Sequence, residues 1–134
     1  GVSAAIKLVK PSVRVYGVEP YGADSMFQSF LQKKPVAINK VKTIADSLGA
    51  PMALPKSYEL AQNNVEEIVR LGEIEMIEAM NLMREKLSLL IEPACGSSLA
   101  ACLGPLKDKI LKKNIALIAC GSNISFDRYK EIVI

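Results

Sequence analysis

The sequence predicts an α/β fold, with a mostly parallel sheet flanked by helices. Three observations predict it. Short β-branched runs, residues 13–19 (VRVYGVE) and 115–119 (IALIA), alternate with amphipathic or small-residue stretches of helical length. That alternation is the pattern of strands joined by helical crossovers. The run IALIA is apolar throughout, as strands buried on both faces of a parallel sheet are. The 134 residues are enough for one domain with a real core, and neither an internal repeat nor a low-complexity tract divides them.

The elements follow in order. Residues 3–10 (SAAIKLVK) read as the end of a helix stopped by Pro11. Residues 13–19 alternate and form a buried strand. Pro20-Tyr21-Gly22 is a turn, and Asp24 or Ser25 opens a helix to about Lys33, with Met26, Phe27, Phe30 and Leu31 at helical spacing. Residues 34–42 are a basic connector holding Pro35. Residues 43–48 make a short helix ending at Gly49, which tolerates the left-handed conformation. Residues 57–63 are a further short helix and 67–71 a short strand. Residues 74–82 form a strong helix on the repeat Ile74, Ile77, Met80 or Asn81. Pro93 interrupts the apolar stretch 87–91, and residues 94–103, small and apolar, form a tightly packed helix. The strand 115–119 leads into the turn Cys120-Gly121-Ser122-Asn123, and residues 127–134 are a terminal helix or tail.

Composition excludes several classes of function. There is no histidine, so neither a Ser-His-Asp or Cys-His catalytic unit nor a His-containing zinc site can be built within this chain. The three cysteines, Cys95, Cys102 and Cys120, form no CxxC pair and read as free thiols of a reducing compartment. A net charge of +3, scattered along the chain, and the absence of tryptophan argue against a nucleic-acid partner. No apolar run approaches the roughly 20 residues of a membrane span, so no membrane partner is expected, and a cytoplasmic location is.

In an α/β sheet, ligands sit beyond the carboxyl ends of the strands. That rule selects three places. At residues 91–98 (IEPACGSS), Glu92 precedes small residues that open a helix, suited either to a ligand at the backbone amides or to close packing with Glu92 favouring the helix N-terminus. At residues 119–123, Cys120 either faces a ligand or is a buried, inert apolar residue. At residues 19–25 (EPYGADS), a carboxylate and free carbonyls suit a hard cation; alternatively Asp24 or Ser25 caps the helix while Glu19 is solvated.

Taken together, VYGVEPYGADS (15–25), TIADSLGA (43–50), IEPACGSSLAA (91–101) and ALIACGSNIS (116–125) resemble the serine/threonine dehydratases, fold type II pyridoxal-phosphate enzymes. EPACG followed by CGSNIS looks most like the L-serine dehydratase branch. The resemblance covers essentially the whole chain. It implies the C-terminal portion of a tryptophan synthase β-like catalytic domain. In this family an N-terminal half carries the lysine that forms the Schiff base and a glycine-rich loop that cradles the phosphate. No SxKxR-like segment and no tetraglycine occur here, so no catalytic residue is assigned within this chain. Gly1 falls just after that loop, and no regulatory extension is expected beyond Ile134.

By resemblance, Cys120 faces the ring nitrogen of pyridoxal 5'-phosphate (with Ala119 the alternative register), while Gly121, Ser122 and Asn123 shape the same wall. Glu92 lies near the ring. Glu19, Ala23 and Ser25, with Leu48 and Ala50, match a structural cation site. Ser25, in place of an acidic residue, favours K⁺ or another monovalent ion over a divalent one. The implied reaction is β-elimination from L-serine or L-threonine, giving pyruvate or 2-oxobutanoate plus ammonia. The implied partners are a small amino-acid substrate, the missing N-terminal half and a second copy in a homodimer of the full enzyme. A non-catalytic truncated or degenerate relative and a serine racemase-like enzyme are the competing readings. Alone, the chain is expected to expose apolar surface and associate.

Overall fold

A computed structural model describes residues 1–133; Ile134, the end of the expected terminal helix, lies outside the described residues. The chain runs α1 (Val2–Val9), β1 (Tyr16–Pro20), α2 (Ser25–Gln32), a 3-10 turn (Asp46–Leu48), α3 (Pro55–Asn64), β2 (Glu67–Leu71), α4 (Glu73–Leu87), α5 (Pro93–Leu103), α6 (Lys107–Ile110) and α7 (Phe126–Val133). The two strands pair in parallel, with Tyr16 opposite Glu67 and Pro20 opposite Leu71. The expected α/β class is observed, as a small parallel sheet with helices packed around it.

The core forms where β2, α4 and α5 meet. Leu71, Met76 and Ala79 pack with Ala45, Val69, Ala100, Ala101 and Leu106. A second cluster joins Met80, Met83, Ile91 and Cys95 to Tyr129 of α7. The small residues of α5 have a geometric purpose. A Cβ on Gly96 would lie 3.0 Å from the Met76 carbonyl oxygen and 3.1 Å from Met80 Cγ, so glycine lets α5 approach α4. Pro93 does not break this region; it occupies the first turn of α5, where its missing N–H costs nothing.

Several expectations need correction. Of the expected α4 stripe Met80 is buried, but Ile74 is 72% exposed, and Met76, Ala79 and Met83 complete the buried face instead. Only residues 46–48 of the expected helix 43–48 form, as the 3-10 turn; ahead of it, the Thr43 hydroxyl and the Ile44 N–H donate to Glu73 instead of entering a helix. Gly49 has φ −76°, not a left-handed one. Residues 13–15 lie outside β1, which starts at Tyr16 because pairing with β2 starts there.

The largest departure is 115–119. It is neither a strand nor buried: Ile115, Leu117 and Ile118 are 45%, 38% and 54% exposed. The apolar pattern is that of a central strand, but no described strand pairs with it, and burial on both faces needs neighbours on both sides.

Candidate functional site

Two of the three strand-end places converge on one cleft. The α5 N-terminus and the turn that follows 115–119 meet the 3-10 turn around a cleft of about 240 Å³, lined by Asp46, Ser47, Glu92, Asn123, Ser125 and Arg128 among others. Glu92 is the residue preceding α5, and its carbonyl accepts the N–H groups of Cys95 (3.0 Å) and Gly96 (3.2 Å). Its own N–H donates to the Gly121 carbonyl at 3.1 Å, which ties the turn to the helix start. The side chain does not cap α5. It reaches across the cleft instead, where the Ser47 hydroxyl donates to Oε1 at 2.8 Å.

Gly121 completes this contact. A Cβ there would lie 2.6 Å from Glu92 Oε1, so a side chain at this position would push the carboxylate aside. Glu92 and Gly121 are thus in contact, and Asn123 lines the same cleft as Glu92. Cys120 precedes Gly121 in the chain and is exposed. Ser47 and Arg128 were not singled out from the sequence. Nothing in the pattern of TIADSLGA says that its serine meets a carboxylate 45 residues away.

The Glu19 turn is separate. Neither Asp24 nor Ser25 caps α2 through its side chain. Glu19 does so: its two carboxylate oxygens accept the N–H groups of Met26 (3.0 Å) and Phe27 (2.7 Å). Burial raises the Glu19 pKa from its ordinary value, against the lowering by those two N–H groups. Asp24 pairs instead with Arg70 at 2.9 Å, and the Arg70 guanidinium stacks 3.9 Å from the centre of the Phe27 ring. Ala23 is fully buried, and among the described residues no hydrogen bond reaches its carbonyl. The Leu48 carbonyl accepts the Ala50 N–H, and no hydrogen bond among the described residues links Leu48 or Ala50 to the Glu19 turn. The described residues hold no cluster of three or more His, Cys, Asp or Glu side chains suited to a metal. No described helix is long and apolar enough to cross a membrane.

Residues 1–121 match the family described as pyridoxal-phosphate dependent enzyme. This chain belongs to that family. It is 43% identical over 123 residues to a phenylserine dehydratase of Ralstonia pickettii, covering 92% of this chain and 38% of that protein. A serine racemase of Arabidopsis thaliana is 34% identical, with 92% and 38% covered. Among solved structures, a fungal L-serine ammonia-lyase from Rhizomucor miehei superposes with a TM-score of 0.84 at 27% identity, covering 98% of this chain and 44% of that one. The chain therefore spans about two fifths of the length of the relatives it matches.

The family implies pyridoxal phosphate, and the polar lining of this cleft fits such a group. Glu92 is held by a hydroxyl beside a glycine where a Cβ would displace its carboxylate, and the exposed Cys120 thiol precedes that glycine. The cleft lining contains no lysine; Arg128 is its cation.

Proposed function

We propose that this chain forms the C-terminal part of a pyridoxal-phosphate dependent ammonia-lyase acting on a β-hydroxy amino acid, L-serine or L-threonine. The observation that carries the reading is the meeting of Glu92, Gly121 and Ser47 beside Cys120, in a chain of this family whose relatives include a hydroxy-amino-acid dehydratase. When bound, the cofactor supplies an electron sink that labilises the substrate's Cα proton and β-substituent.

In this reading the chain's own residues form and tune the wall. Cys120 is the neighbour of the ring nitrogen. A thiol is a weaker partner for the ring nitrogen than an aspartate, so the sink is weaker, and prompt loss of the β-hydroxyl is favoured. Gly121, Ser122 and Asn123 shape the same wall, and Glu92 keeps a carboxylate beside it. The lysine that binds the cofactor and takes the Cα proton belongs to an N-terminal half. Glu19, Ala23 and Ser25, with Leu48 and Ala50, are the candidate set for a monovalent cation such as K⁺. The Ala23 carbonyl, unbonded among the described residues, supports that assignment, since a cation there satisfies it.

The test is uptake of pyridoxal phosphate, followed by visible absorbance, together with release of pyruvate from L-serine or 2-oxobutanoate from L-threonine. The longer protein carrying this chain is expected to do both. The 134 residues alone are expected to do neither. Uptake without 2-oxo-acid release, but with interconversion of L- and D-serine, instead selects the racemase reading, which the 34% identity to a plant serine racemase favours.

A further inference from the structure

We propose that Ser47 is a positioning residue. Its hydroxyl sets where the Glu92 carboxylate stands beside the 120–123 turn, and through it tunes how this wall holds pyridoxal phosphate. The inference rests on the functional reading above and adds a residue that the reading does not contain.

The main chain of Glu92 is fixed independently of Ser47. Its N–H is bound to Gly121, and its carbonyl receives Cys95 and Gly96. The freedom that remains lies in the side-chain torsions. On one side the carboxylate abuts Gly121, 2.6 Å from where a Cβ would stand. On the other, Ser47 donates the one hydrogen bond that this carboxylate accepts among the described residues. Arg128 lines the same cleft, with its guanidinium 2.9 Å from Glu131. A carboxylate released from Ser47 has this cation to swing towards, which draws its charge off the turn. A serine hydroxyl is suited to the task, because it donates a hydrogen bond without bringing a positive charge that would cancel the carboxylate.

The test uses the longer protein carrying this chain, with Ser47→Ala, Ser47→Thr, Glu92→Gln and the double variant. Cofactor affinity is read by fluorescence titration, and the environment of the bound ring by its absorbance spectrum. The hydrogen bond is exposed, so Ser47→Ala is expected to weaken affinity by about threefold to tenfold and to shift the spectrum. Ser47→Thr, which keeps the hydroxyl, is expected to restore both. The double variant is expected to bind no more weakly than Glu92→Gln, because the two residues act as one unit. Unchanged affinity and spectrum in Ser47→Ala, or additive losses in the double variant, overturn the proposal. Ser47 is itself exposed, so its truncation should leave folding intact. Should it not, Gly121→Ala displaces the same carboxylate from the other side, and an unchanged spectrum there overturns the proposal equally. If the unmutated protein takes up no pyridoxal phosphate, the functional reading fails and this inference with it.

Discussion

The β2–α4–α5 core and the stretch 115–119 are both dense in apolar residues, yet one is closed and the other open. In the core, Leu71, Met76 and Met80 are fully buried because two helices and a strand supply apolar surface on every side. At 115–119, Ile115 and Leu117 line an apolar groove of about 580 Å³ with Val13, Tyr16, Ala101 and Leu106, and nothing among the described residues covers it. The lesson is that hydrophobicity specifies a demand for burial, and neighbours decide whether it is met. The relatives are about two and a half times as long as this chain.

The sharpest way to break that comparison is substitution on each side of it. Leu71→Ala is expected to cost about 2–5 kcal/mol in urea unfolding, since its cavity is sealed by α4 and α5. A cost below about 0.5 kcal/mol, the value for an ordinary surface site, would mean that the core is no better packed than the open face. Gly96→Ala follows, at about 1–3 kcal/mol, because its Cβ meets the Met76 carbonyl oxygen of a packed helix. On the open face the expected effect lies in association rather than stability. Ile118→Ser should leave the unfolding midpoint of the isolated chain within about 0.5 kcal/mol and reduce its self-association in light scattering. A monodisperse unmutated chain would remove the premise.

The smallest expected effect concerns pH. Burial raises the Glu19 pKa in the folded state, so the folded protein binds this proton more tightly than the unfolded chain does. Its contribution therefore falls as pH rises from the ordinary carboxylate value through the raised folded one, and the ionised form is the less favourable at neutral pH. Glu19→Gln should flatten that segment of the stability–pH curve. In the unmutated longer protein, K⁺ should raise the neutral-pH melting temperature more than tetramethylammonium does, if the cation assignment holds.

Much of the fold was legible because local chemistry writes it. Pro11 and Pro93 mark a helix end and a helix start, and the 67–71 strand and the small-residue helix α5 lie where residue pattern puts them. The phase of α4 was not legible, since Ile74 and Met76 carry similar apolar weight and only the position of α5 decides which one faces inward. The site divides in the same way. Glu92, Gly121 and Asn123 could be named because they follow predicted strands or open a helix. Their meeting with Ser47 could not, because that hydrogen bond spans 45 residues and depends on how the 3-10 turn packs against α5. Glu19 shows the limit most directly. Proximity in sequence favoured Asp24 or Ser25 as the cap of α2, but the strand end brings Glu19 alongside, and two backbone N–H groups bind the carboxylate that reaches them. By itself, then, the sequence determined the fold class, the order of elements through α5 and the family likeness, which rest on local propensity and pattern. Only the tertiary structure decided which carboxylate caps α2, what holds Glu92 and which apolar segment lies open, because each is a contact between segments distant in the chain.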